Sequence, residues 1–183
     1  MKDEPLPDTI KEHKHQQVKD IGFGAVIIST TRYKEKQNDD SSTDRTVEVI
    51  EVLVKEKGYK LVKTEFIPDD PVSIRLIVDA MLKNENIDVI ITSGGTGISP
   101  RDKTIDALAI KDIPVLPGFG EIFRYLSYKE VGIPAMLSRS EAFFTNQKCI
   151  FCLPGSPKAV MLAIKSIILP EIVHILSQLR KSE

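Results

Sequence analysis

The densest chemistry in the 183-residue chain lies in Thr92-Ser93-Gly94-Gly95-Thr96-Gly97-Ile98-Ser99-Pro100-Arg101-Asp102-Lys103-Thr104. Glycines at 94, 95 and 97 let a backbone approach a ligand closely and adopt φ > 0. Consecutive amides released in this way can converge on an anion as a nest. Thr92, Ser93, Thr96, Ser99 and Thr104 add hydroxyls, and Arg101 adds a fixed charge shaped for phosphate. The loop lacks the G-K-[ST] ending of a Walker A loop and the G-x-G-x-x-G spacing of a dinucleotide fingerprint. Gly22 and Gly24 begin such a spacing but precede a strand instead of following one. A bare tight turn is the plainer alternative, and the coincidence of three glycines with Arg101 and Asp102 argues against it.

Two carboxylates stand near this loop in the pattern. Asp102 follows the glycines, and Asp69 sits in Ile67-Pro68-Asp69-Asp70, just after an apolar run. Carboxylates beside a phosphate loop suit a Mg²⁺ ion, which takes oxygen ligands and offsets phosphate charge. Asp69, Asp70 and Asp102 are equally placed to be helix N-caps, a common use of aspartate. Spacing alone leaves both uses open. Two further loops, Leu116-Pro117-Gly118-Phe119-Gly120-Glu121 and Leu153-Pro154-Gly155-Ser156-Pro157, each present a glycine before a helix. Helix N-termini attract anions through free amides and the helix dipole. Pro-Gly is above all a turn signal, so the weight lies in the three loops together, which point to one pocket for a phosphate-bearing ligand.

The elements that must position these loops follow from periodicity. Ala25–Ser29 and Asp88–Thr92 are short continuous apolar runs, as expected of strands covered on both faces, and Leu61–Ile67 reads as another strand. Ala135–Ser138 and Cys149–Leu153 are further strand candidates, with a turn at Asn146-Gln147. Helices are predicted over Arg45–Lys57, ending at Gly58, and from the Pro68–Pro71 turn to about Asn84. Others are expected after Thr104, over Gly120–Tyr128, and from Pro157 onward. Thr30–Thr43 is predicted to be a polar loop. Alternating strands and helices imply an α/β three-layer sandwich, a mainly parallel sheet with helices on both faces. Its ligands should bind beyond the carboxyl ends of the strands, and each candidate loop follows a strand.

Bulk properties exclude several classes. With 25 basic and 26 acidic residues, the chain has no electrostatic footprint for nucleic acid or an anionic membrane. Two cysteines make no disulfide framework and suit a reducing compartment. Their C-x-x-C spacing falls inside the run Cys149–Leu153, where residues i and i+3 point to opposite faces of a strand. His13 and His15 lie in a polar stretch and read as solvated. Residues 1–20 are expected to be a flexible tail and 21–183 one domain. The first residues lack the apolar core of a signal peptide. Ala159–Leu179 is interrupted by Lys165, Pro170 and Glu171, so it reads as an amphipathic terminal helix. The expected location is the cytoplasm.

The segment Thr92–Thr104, with Pro117-Gly118-Phe119-Gly120-Glu121, Leu126-Ser127, Ser138-Arg139 and Leu153-Pro154-Gly155-Ser156-Pro157, resembles the MoaB/Mog family of molybdenum cofactor biosynthesis proteins. The matching segments run in the family's order from about Ala25 to Leu176. The resemblance implies a compact α/β sandwich assembled as trimers or hexamers, and adenylylation of molybdopterin by ATP with Mg²⁺. Adenylyl-molybdopterin and pyrophosphate would be the products, with a molybdate-inserting protein as possible partner. The family's two essential aspartates fall on Asp69 and Asp102. Thr92, Ser93, Gly94, Gly95, Thr96, Gly97, Arg101 and Thr104 would bind nucleotide phosphate. Pro117, Gly118, Gly120, Glu121, Ser138, Arg139, Pro154, Gly155, Ser156 and Pro157 would face the substrate. Many relatives carry Ser-Asp after the first strand where this chain has Ser29-Thr30. They often have Asp-x-Ser-Gly where it has Asp44-Arg45-Thr46-Val47.

Overall fold

A computed structural model describes residues 20–38, 45–109, 112–145 and 147–181. The first strand, β1 (Gly22–Ile28), is buried along its whole length. β2 (Lys60–Ile67) pairs with it in parallel on one side, and β3 (Val89–Ser93) on the other. β5 (Cys149–Leu153) continues the sheet in parallel beside β3, and β4 (Glu141–Phe144) closes the edge antiparallel to β5. The order is β2-β1-β3-β5-β4. Chain direction across the sheet reverses at β1 and β3, so the crevice beyond their carboxyl ends is the topological switch point.

Successive side chains of a strand alternate faces, and the alternation here fills two cores. Phe23, Ala25, Val89, Ile91, Phe151 and Leu153 face one of them. Against them pack α2 (Thr46–Glu56), α5 (Pro117–Val131) and the terminal helices α6 (Pro157–Ala163) and α7 (Leu169–Leu179). Val26, Ile28, Ile90, Ile150 and Cys152 face the other, covered by α3 (Pro71–Lys83) and α4 (Thr104–Ala109). This is the three-layer sandwich expected from the alternation.

Asp70 caps α3: its carboxylate accepts from the amides of Val72 and Ser73, and Pro71 occupies the first turn. Such a cap contributes about 1 kcal/mol. The hydrogen bonds to Ser73, ahead of the other influences, hold the Asp70 carboxyl below its usual range. α6 and α7 are joined by a π-helical segment, Ile164–Ile168. The physical reason is Pro170, which lacks an N–H and whose ring would strike the Ser166 carbonyl in a regular helix. The combined helix Pro157–Leu179 is long and apolar enough to cross a membrane by length and composition. Its Val160, Ile164, Ile168, Ile172 and Leu176 are buried in the core.

Two elements differ from the sequence expectation. The first part of the predicted polar loop is a helix, α1 (Thr30–Gln37). Ser29 caps it by accepting from the Arg32 amide, and none of its residues is buried. It therefore has no apolar stripe to betray it. Residues 39–43 of that loop, the 1–19 tail with His13 and His15, and Asn146 lie outside the described residues. The strand expected at Ala135–Ser138 is a 3₁₀ turn, Ile133–Leu137, entered through Gly132 at φ 75°. Pro134 in that stretch has no N–H to give a sheet. The strand comes later, at Glu141–Phe144.

The C-x-x-C pair is split between the two cores, Cys149 on one face of β5 and Cys152 on the other. Burial pushes both thiols from about 9 up to about 12. A raised folded-state pKa stabilises the fold fully below about pH 9, and that contribution is lost as pH climbs toward 12. Thiol titration of the native protein at pH 8 should find both cysteines unreactive, and after unfolding both should react. Rapid modification of either in the native state would contradict the packing of β5.

Candidate functional site

The glycine loop leaves β3 at the switch point and is pinned from three sides. Gly94 adopts φ 115° and donates to the Leu153 carbonyl at 2.9 Å. A Cβ at Gly94 would stand 2.1 Å from the Ile28 carbonyl oxygen, and one at Gly95 (φ 66°) 2.3 Å from the Thr104 hydroxyl. Side chains at these positions are excluded by both space and backbone conformation. Thr104 closes the loop: its hydroxyl donates to the Gly94 carbonyl at 2.7 Å and its amide to the Gly95 carbonyl at 3.0 Å. Thr104 is thus the first residue of α4 and a clasp across the loop.

Arg139 braces the far side of the loop. Its Nε donates to the Gly97 carbonyl at 2.7 Å, and its Nη2 to the Asp102 carbonyl at 2.8 Å. Nη1 pairs with Asp106 at 2.9 Å, and the Arg139 amide donates to the Thr96 carbonyl at 2.7 Å. The Arg139 hydrogen bond holds the Asp106 carboxyl below its ordinary range. Arg139 therefore shapes the loop through main-chain carbonyls. Arg101 is exposed at the loop tip.

The hydroxyls divide by role. Ser93 is buried and donates to the Pro154 carbonyl at 3.1 Å, tying the third loop to the first. Thr92 is fully buried opposite Cys152 on the α3/α4 face of the sheet, away from the loop surface. Thr96 is buried as well, whereas Gly95 and Gly97 are partly accessible and Ser99 is exposed. What the loop offers a ligand is mainly backbone.

Both candidate carboxylates lie at this edge, half-buried. Asp102 Oδ2 accepts from the Ser99 amide at 2.8 Å and would be 2.8 Å from a Cβ at Gly97. Asp69 Oδ2 accepts from the Thr30 amide at 2.7 Å and from the Thr30 hydroxyl at 3.0 Å. The same hydroxyl accepts from the Asp69 amide at 3.2 Å. Asp69 thus latches the start of α1 to the end of β2. Neither residue caps its own following helix; Asp70 does that for α3. Each carboxylate has a second oxygen of the type Mg²⁺ takes, and such an ion commonly completes its shell with phosphate oxygens and water. The oxygen-only donor set and the side-chain-free cradle both fit such an ion with a phosphate.

The third loop meets the first where a Cβ on Gly155 would stand 3.7 Å from the Gly94 Cα. Pro154 and Ser156 also line a hollow of about 310 Å³ between α5, the 3₁₀ turn and α6. Phe123, Ala135 and Leu162 supply apolar walls, and Ser127 and Ser138 supply hydroxyls. The second loop is tied in less directly. Gly120 packs against the Ser140 carbonyl next to Arg139, while Pro117 and Gly118 open α5 and Glu121 follows its first turn. Sequence reasoning missed Arg32, whose Nη1 and Nη2 donate to the Gly155 carbonyl at 3.5 and 3.4 Å. It sits on the unforeseen α1.

A mainly parallel sheet with a glycine loop at its switch point and two carboxylates after its strands defines an open, doubly wound α/β domain. Comparison with known proteins narrows this. A family model described as "Probable molybdopterin binding domain" matches residues 24–174, and the chain belongs to that family. It is 40% identical over 174 residues to molybdenum cofactor biosynthesis protein B of Bacillus cereus, covering 94% of this chain and 99% of that one. A crystal structure of a molybdenum cofactor biosynthesis protein B superposes with TM-score 0.81 at 40% identity, covering 91% of this chain and all of the other. The tungsten cofactor synthesizing protein MoaB of Pyrococcus furiosus superposes with TM-score 0.77 at 32% identity, covering 90% and 100%.

Replacing Arg139 by Met removes two side-chain donors to loop carbonyls and leaves Asp106 without its guanidinium. Chemical denaturation should show a loss of about 1–2 kcal/mol. Amide exchange over residues 97–102 should accelerate by about tenfold or more at the same time. Unchanged exchange in that segment would show that Arg139 does not brace the loop.

Proposed function

We propose that this chain acts in molybdenum or tungsten cofactor biosynthesis by binding molybdopterin and adenylylating it with ATP and Mg²⁺. The observation that carries the reading is the cradle of Gly94, Gly95 and Gly97, open to a phosphate and flanked by Asp69 and Asp102. Its membership of a molybdopterin-binding family supplies the second substrate. In the proposed reaction an oxygen of the pterin's terminal phosphate attacks the α-phosphorus of ATP. The bond from that phosphorus to the β-phosphate bridging oxygen breaks, and pyrophosphate leaves. Mg²⁺ would supply neutralisation of phosphate charge. The residues contribute alignment and fixed dipoles, which are the main currency of phosphoryl-type transfers. Loop amides hold the nucleotide phosphates, and Asp102 orients the ion beside them. Asp69 shapes the opposite wall through its hold on Thr30. The hollow by Pro154 and Ser156, apolar with hydroxyls at its rim, suits a flat pterin ring.

The working unit is proposed to be a cytoplasmic homo-oligomer, a trimer or hexamer, passing its product to a molybdate-inserting protein. Tyr125, Val131, Ile133, Met136 and Leu137 form an apolar surface on α5 and the 3₁₀ turn, with Ile133 71% and Met136 72% exposed. Contiguous apolar surface of this kind marks association. Light scattering at micromolar concentration should give a mass of three chains or a multiple, and a monomer would refute the assembly. For the reaction, purified protein with molybdopterin, ATP and Mg²⁺ should form adenylyl-molybdopterin. Asp102→Ala should reduce turnover by at least about 100-fold while melting as the parent does. Tight pterin binding without product from the parent protein would make this chain a molybdopterin carrier instead.

A further inference from the structure

We propose that Asp106 is a positioning residue of this site, fixing the Arg139 guanidinium against the glycine loop and so holding Asp102 in place beside Gly97. The inference rests on reading that loop and Asp102 as the seat of a phosphate and its cation. Asp106 stands on α4, two residues past the Thr104 clasp. Its carboxylate forms a fork with Arg139: Nη1 donates to Oδ1 at 2.9 Å and Nη2 to Oδ2 at 3.2 Å. The same guanidinium reaches the loop, with Nε on the Gly97 carbonyl at 2.7 Å and Nη2 on the Asp102 carbonyl at 2.8 Å. Nε, Nη1 and Nη2 are all engaged, and the plane of the guanidinium is set by bonds on two sides.

Gly97 and Asp102 bound the segment in which the Asp102 carboxylate is set. Its Oδ2 accepts from the Ser99 amide at 2.8 Å and would stand 2.8 Å from a Cβ at Gly97. Arg139 holds the main chain at both ends of that segment, so the guanidinium plane fixes how the carboxylate faces Gly97. Two neutral carbonyls do not by themselves keep an arginine there. The Arg139 side chain is 35% exposed, and its charge would be drawn to the strongest anion within reach, a loop carboxylate or the ligand's own phosphate. Asp106 meets that charge, which leaves Arg139 on the main chain and the Asp102 carboxylate to a cation. The Arg139 hydrogen bond holds the Asp106 carboxyl below its ordinary range, so the pair stays ionised at neutral pH. A half-exposed ion pair contributes little to folding. Asp106 therefore acts on the loop and the ligand more than on the melting temperature.

Amide exchange and titration calorimetry with inorganic pyrophosphate and Mg²⁺ test this on the full chain. The parent is compared with Asp106→Asn, Arg139→Met and the double variant. Asparagine keeps the shape of the side chain and removes its charge. Asp106→Asn should melt close to the parent and speed amide exchange across residues 97–102 by at least about threefold. It should also weaken pyrophosphate binding in the presence of Mg²⁺ by about three- to tenfold. The double variant should bind no more weakly than Arg139→Met alone, because both changes cut one chain of contacts. Parent-like exchange and affinity in Asp106→Asn would overturn the role of Asp106 and leave the cradle reading intact. Additive losses in the double variant would show that Asp106 acts by its own charge and not through Arg139, which would overturn the inference as well. No pyrophosphate binding by the parent would overturn the cradle reading, and with it this inference.

Discussion

The site depends on one steric constraint, the close approach of the chain leaving β3 to the end of β1. Only glycine can stand at position 94, where the Ile28 carbonyl occupies the space of a side chain. The turn through Gly94 and Gly95, both at positive φ, carries the chain across the switch point. The neighbouring contacts follow from that path. Thr104 can clasp the Gly94 carbonyl because no Cβ intervenes at Gly95. Ser93 can reach Pro154, and Gly155 can pack on Gly94, because the two loops leave adjacent parallel strands in register.

The balance between structural and chemical roles is set by what remains after these bonds are made. Thr92, Ser93 and Thr104 are buried, and the hydrogen bonds of Ser93 and Thr104 hold the fold together. Arg139 is spent on carbonyls and Asp106. What remains at the loop edge is main chain and two carboxylates, each tethered by one oxygen. Such a surface is rigid before the ligand arrives, which limits the reorganisation that binding must drive.

Much of this was legible in the sequence, for physical reasons that also explain the gaps. β1, β3 and β5 are covered on both faces, so they show as unbroken apolar runs. The loops after β3 and β5 announce themselves by glycine and proline. The helix α1 was hidden because it buries no residue and is held by capping and by Asp69, 39 positions away. The 3₁₀ turn Ile133–Leu137 imitated a strand because Ile133, Met136 and Leu137 are apolar yet exposed, and periodicity cannot separate apolar surface from core. Spacing left Asp69, Asp70 and Asp102 equivalent, and only the hydrogen-bond partners distinguish the cap at Asp70 from the two carboxylates at the site.

The central claim is that phosphate sits on the amides of the glycine loop between Asp69 and Asp102. A crystal structure of this chain grown with ATP and Mg²⁺ tests it most directly. The account predicts nucleotide phosphates within hydrogen-bond distance of the amides of residues 95–97, with the ion on a carboxylate oxygen of Asp102. Phosphates bound at the start of α5, or at the opposite edge of the sheet, with the glycine loop vacant, would contradict it.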